Sequence, residues 1–146
     1  MKRILIVEDD GALRSDMAAA VFEWGYDVRV AANALQGYRL VEEWRPHLVL
    51  SDINMPNLSG FDLRRGIKNM EIDHSDMAFL FVSSQPAQKN KAACLEAGAD
   101  DYIVKPFSYG VLRDKIEAQL MLKKQDARAK EVSTGPLTRL LAKCMR

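Results

Sequence analysis

Aliphatic residues in this chain fall into short unbroken runs separated by amphipathic stretches, and the two patterns alternate five times. Ile4-Leu5-Ile6-Val7, Leu48-Val49-Leu50 and Phe79-Leu80-Phe81-Val82 are continuous apolar blocks, the signature of strands buried on both faces of a parallel sheet. The pattern predicts strands over 3–7, 27–31, 47–51, 78–82 and 102–104. Between them it predicts helices over 12–24, from an Asn33 cap to 44, from the 56–60 turn to about 69, and from Pro86 until Gly98. A last helix runs from a Ser108 cap to at least 122. Gly25, Pro46 and Gly98 punctuate the helix ends. Five such units, joined by right-handed crossovers, predict an α/β fold with helices on both faces of one sheet.

The remaining bulk properties narrow the class. At 146 residues and 48% hydrophobic, the chain suffices for one domain with its own core. No apolar stretch approaches the ~20 residues a bilayer span needs, and no secretory leader is visible, so a cytoplasmic protein without membrane contact is expected. Cys94 and Cys144 lack metal or redox spacing, and Cys94 is expected to pack a helix. Formal charge is +1, but from Lys123 onward seven basic residues face only two acidic ones, so an acidic body carries a basic tail. An acidic body with its carboxylates gathered suits a cation better than nucleic acid.

Those carboxylates gather at strand ends. Glu8-Asp9-Asp10 closes the first run and Asp52 closes the third; Ser83 follows the fourth and Lys105 the fifth. In open α/β sheets the carboxyl edge is where ligands bind. Three carboxylates, a hydroxyl and an ammonium are the groups that a divalent cation and a phosphoryl group require.

Through Ile6-Val7-Glu8-Asp9-Asp10, Ser51-Asp52-Ile53-Asn54-Met55-Pro56, Ser59-Gly60, Val82-Ser83-Ser84, Gly98-Ala99-Asp100-Asp101-Tyr102 and Lys105-Pro106-Phe107, the chain resembles the response-regulator receiver domain of two-component signalling over about residues 1–122. The resemblance implies a flavodoxin-like, doubly wound five-stranded parallel sheet of order 2-1-3-4-5 with five helices, an order for which a receiver of this family is a standard example. It makes Asp52 the phosphoacceptor, served by Ser83 and Lys105. Glu8, Asp9, Asp52 and the Asn54 carbonyl become ligands of Mg²⁺, while Asn54 and Gln85 tune the lifetime of the phosphoryl group. Ser83 and Tyr102 form the switch, in which Ser83 moves toward phosphorylated Asp52 and Tyr102 turns into the vacated space. The Lys105-Pro106 bond is expected to be cis, and Asp10 to cap the first helix. Glu8 stands where many members carry Asp, and Ser83 where Thr is commoner.

The implied function is that of a phosphoacceptor signalling domain, not an enzyme acting on a separate substrate, with self-catalysed phosphotransfer and dephosphorylation. Its expected partners are a sensor histidine kinase or histidine phosphotransfer protein, and a downstream protein or second copy at helix 4, strand 5 and helix 5. A Mg²⁺-dependent phosphohydrolase of similar architecture needs an acid/base Asp two residues after its nucleophile, where this chain has Asn54. Flavin phosphate would be repelled by the acidic cluster. Residues 123–146 read as a basic linker or short helical tail, with Leu137, Leu140, Leu141 and Met145 at amphipathic spacing after Gly135-Pro136. They are too few for a DNA-binding module, so no direct nucleic-acid contact is expected. The alternative is an N-terminal receiver fragment of a larger regulator whose output domain, such as a cyclic-dinucleotide enzyme, lies outside this chain.

Overall fold

A computed structural model describes residues 1–84 and 87–133, without the side chains of 87–91 and 126–133. Five strands and five helices alternate as β1 (Arg3–Val7), α1 (Gly11–Glu23), β2 (Asp27–Ala31), α2 (Ala34–Trp44), β3 (Leu48–Asp52), α3 (Gly60–Lys68), β4 (Ala78–Ser83), α4 (Ala87–Glu96), β5 (Asp101–Val104) and α5 (Tyr109–Ser133). All strands are parallel in the order β2-β1-β3-β4-β5, as the resemblance implies.

Alternation along the interior strands explains their unbroken apolar runs. Leu5, Val7, Val49, Phe79 and Phe81 face a core with α2, α3 and α4. Ile4, Ile6, Leu48, Leu50 and Leu80 face a second core with α1 and α5 through Met17, Val21, Leu112 and Ile116. Covered on both sides, β3 and β4 are buried throughout, and their polar residues, Ser51, Asp52 and Ser83, fall only at their carboxyl ends.

Helix starts follow local chemistry. The Asp10 carboxylate accepts from the Ala12 and Leu13 N–H groups and caps α1; Asn33 caps α2; Ser59 and Asp62 form a reciprocal capping box on α3. The Val111 N–H donates to the Ser108 hydroxyl at 3.1 Å, capping α5. Trp24 and Trp44 pack against the two cores, and Cys94 is fully enclosed. α5 continues past Leu122 to Ser133, and the Lys123 ammonium lies 3.0 Å from the Asp100 carboxylate, so the helix remains tied to the sheet there. The amphipathic segment expected over 137–145, Gly135-Pro136 and Cys144 lie outside the described residues. Among the described residues, no helix is long and apolar enough to cross a membrane.

Candidate functional site

Since β1 and β3 are neighbours in register, with Val7 opposite Ser51, the residues that follow converge at one edge. Glu8, Asp9 and Asp52 each bring a carboxylate oxygen within 4.8 Å of the others. Glu8 and Asp52 are only 2% and 7% exposed, so two of the three charges are held almost out of water. The local chain pins them there. The Glu8 N–H donates to the Ala31 carbonyl at 3.0 Å, and the Arg14 guanidinium donates to the Glu8 carbonyl at 2.8 Å.

Crowding has an electrostatic consequence. Burial, and then the Glu8 charge, push the Asp52 carboxyl up to about 6, against the opposing pull of the Lys105 ammonium. Lys105 reaches in from the loop after β5, across a cis Lys105-Pro106 bond. Its Nζ is 3.0 Å from both Glu8 carboxylate oxygens and 3.5 Å from Asp52 Oδ2. Thus the lysine is held first by Glu8 and only second by the expected phosphoacceptor. One ammonium against three carboxylates leaves an excess of negative charge, and the hard oxygen set fits a divalent cation such as Mg²⁺.

Ser83 ends β4 fully buried, beside Val104 of β5, and its carbonyl accepts from the Lys105 N–H at 2.7 Å. Burial raises the pKa of the Tyr102 phenol, against a smaller lowering influence of the neighbouring Ser83 side chain. Tyr102 is only 9% exposed. The ring expected to turn inward on phosphorylation therefore already lies inward. Asn54 sits exposed in the loop after β3, and Gln85 lies outside the described residues.

Gly60 is a positional requirement that the sequence reading passed over as part of a turn. Its N–H donates to the Ile53 carbonyl at 2.8 Å, and a Cβ at this position would collide with the Asp52 carbonyl oxygen. The first residue of α3 thus rests directly on the main chain of Asp52. The only sequence signal was a glycine immediately after the Ser59 cap, where a side chain is ordinarily tolerated.

This fold, with an acidic cluster at the β1/β3 switch point and a lysine after β5, defines a receiver-type α/β module. The response regulator receiver domain model matches residues 4–117, and the chain belongs to that family. It is a signalling domain of two-component response regulators, not an ordinary enzyme. The chain is 36% identical over 119 residues to the phosphate regulon transcriptional regulatory protein PhoB of Pseudomonas aeruginosa, covering 82% of this chain and 52% of that protein. It is 31% identical over 151 residues to the response regulator MprA of Mycobacterium leprae, covering 99% of this chain and 65% of the relative. The chain spans about half the length of several curated relatives it matches. Among solved structures it is similar to a CheY-like receiver domain protein of Methanospirillum hungatei, with a TM-score of 0.78 and 32% identity over 86% of this chain and 98% of that one.

Proposed function

We propose that this chain accepts a phosphoryl group on Asp52 from a phosphohistidine of a sensor kinase or phosphotransfer protein, and that the modified state alters a protein-binding face. The observation that carries the reading is the meeting of Glu8, Asp9, Asp52 and Lys105 at one sheet edge, with Glu8 and Asp52 buried. Phosphoryl transfer asks mainly for positioning and charge neutralisation. The Asp52 carboxylate is the nucleophile: one oxygen forms the new bond to phosphorus while the imidazole nitrogen leaves with its electron pair. Lys105 is freed from part of its hold on Glu8 and pairs with the incoming phosphoryl oxygens, and the Ser83 hydroxyl donates to one of them. Glu8, Asp9, Asp52 and the Asn54 carbonyl would hold Mg²⁺, which offsets the charge that otherwise repels an anionic phosphoryl group. Hydrolysis of the aspartyl phosphate in the same site would reset the domain, with Asn54 and Gln85 as the residues that tune its lifetime.

Labelling with a small acyl phosphate across a Mg²⁺ titration tests the metal ligands. Glu8→Gln and Asp9→Asn are expected to require at least about tenfold more Mg²⁺ for half-maximal labelling, since each removes one of few charged ligands. Labelling that is indifferent to Mg²⁺ in all three proteins would contradict the assignment.

The switch follows from competition for one hydroxyl. Ser83 neighbours Tyr102 here, and a phosphoryl group of charge about −2 offers the Ser83 hydroxyl a strong acceptor. Phosphorylation should therefore draw the Ser83 hydroxyl away from Tyr102 and reset the surface of α4, β5 and α5, where a downstream protein or a second copy would bind. NMR with a beryllofluoride phosphoryl analogue should move the resonances of Ser83, Tyr102 and neighbouring β5 amides. Unmoved resonances at saturating analogue would exclude this route.

Residues 1–122 are proposed as the phosphoaccepting unit and 123–146 as a linker or helical tail. Deleting everything after Leu122 should leave the Asp52 labelling rate within about twofold, because the lost Lys123–Asp100 pair is one partly exposed ion pair. Lost labelling would place the tail within the phosphoaccepting unit. The half-length match to transcriptional regulatory proteins favours, as a second reading, a receiver that works as one part of a longer regulator.

A further inference from the structure

We infer that the outer edge of β2 is a self-association surface, through which two copies of this chain join their sheets antiparallel about Val28. Among the described residues β2 is the last strand on its side and pairs only with β1. The Asp27 N–H donates to the Lys2 carbonyl at 2.9 Å and the Ala31 carbonyl accepts from the Glu8 N–H, so the odd-numbered residues bond inward. By the alternation of a parallel ladder, Val28 and Val30 turn their N–H and C=O groups outward. An edge of this kind is ordinarily blunted by proline, a bulge or charges of one sign; Asp27–Ala31 has no proline or bulge, and its two charges, Asp27 and Arg29, are of opposite sign. An open groove of about 780 Å³, lined by Phe22, Val28, Val30, Arg39 and Leu40, runs along it, and Phe22 is 70% exposed.

The sequence of the edge specifies the partner and the register. Pairing Val28 with its own copy lets the two residues exchange both hydrogen bonds, places Tyr26 opposite Val30 on the α1 face and sets Asp27 opposite Arg29 on the α2 face, each twice by symmetry. Aromatic with β-branched and acidic with basic are the favoured cross-strand pairs. Among the described residues neither Asp27 nor Arg29 makes an ion pair, and the Arg29 guanidinium rests over the Trp44 ring at 5.0 Å. The register shifted by one residue, centred on Arg29, would oppose two arginines and leave Asp27 facing Ala31. Of these two registers, the Val28-centred pairing is the one self-complementary in both apolar and charged positions. This edge lies at the opposite side of the sheet from β5.

Sedimentation velocity on the full chain, with concentration-dependent hydrogen exchange, tests the assignment. A concentration-dependent dimer is expected, in which the Val28 and Val30 amides gain protection as the dimer fills. Arg29→Asp should raise the dissociation constant at least about tenfold by setting like charges opposite, and Asp27→Arg with Arg29→Asp should restore it to within about threefold. That rescue also separates a lost contact from a damaged fold. A monomer at every concentration up to about 1 mM would overturn the inference, taking the lower limit of useful affinity. So would a dimer indifferent to Arg29→Asp with unprotected Val28 and Val30, or one abolished by removing residues 134–146, because each places the contact elsewhere.

Discussion

Asp52→Asn is expected to stabilise the domain at neutral pH, by about 1–3 kcal/mol, as each unit of pKa displacement corresponds to about 1.4 kcal/mol. The folded carboxyl is pushed up from 3.8 to about 6 by burial and by Glu8. Between these values the folded chain binds more protons at this position than the unfolded chain does, so stability falls as pH rises through the window. The penalty is complete above about pH 6 and absent below about pH 4. An amide escapes it, and Lys105 keeps its 3.0 Å contacts to Glu8 in the variant. Denaturant unfolding in EDTA should therefore show a gain that is large at pH 7.5 and vanishes toward pH 4. Saturating Mg²⁺ should shrink the gain, because a bound cation stabilises the wild-type carboxylates. A variant less stable than wild type at pH 7.5, or a gain that does not change with pH, would contradict the electrostatic account of the site.

Gly60→Ala is expected to slow phosphoryl labelling by at least about tenfold and to cost about 1–3 kcal/mol of stability, the usual range for an added group with no room. The added Cβ meets the main-chain carbonyl of Asp52, which cannot rotate away as a side chain would. Either the end of β3 or the start of α3 must move, and both carry the phosphoacceptor's position. Gly110→Ala is the matched control: its Cβ would find nothing nearer than the Ser108 hydroxyl at 4.0 Å, and it should keep full labelling. Acyl phosphate kinetics on the two variants, with stability measured in parallel, separates misplacement from unfolding. Unchanged labelling in Gly60→Ala would show that the close approach does not govern Asp52.

Much of the fold is legible in the sequence because buried parallel strands admit so few residues. Ile4–Val7, Leu48–Leu50 and Phe79–Val82 allow no other placement, and the residues that end them necessarily meet at one sheet edge. Helix caps are equally local, since Asp10, Asn33 and Ser59 bond within three residues of themselves. Features set by long-range packing are not legible. Nothing in Val104-Lys105-Pro106 says that the lysine settles on Glu8, 97 residues away, in preference to Asp52. Nothing in Ser59-Gly60 says that the glycine lies on the Asp52 carbonyl. The inward position of Tyr102 depends on how β5 packs beside β4, which neither strand announces alone. Polar and apolar patterning place an element; which of several polar neighbours a side chain reaches is decided by distances that only the assembled sheet fixes.

The most direct test of the central claim is peptide mapping of the full chain after incubation with a small acyl phosphate, with and without Mg²⁺, using borohydride to trap the acyl phosphate. The account predicts a single trapped site at Asp52 that appears only with Mg²⁺ and disappears in Asp52→Asn. Undiminished incorporation in Asp52→Asn, or trapping at Glu8 or Asp9 in the wild-type chain, would contradict it.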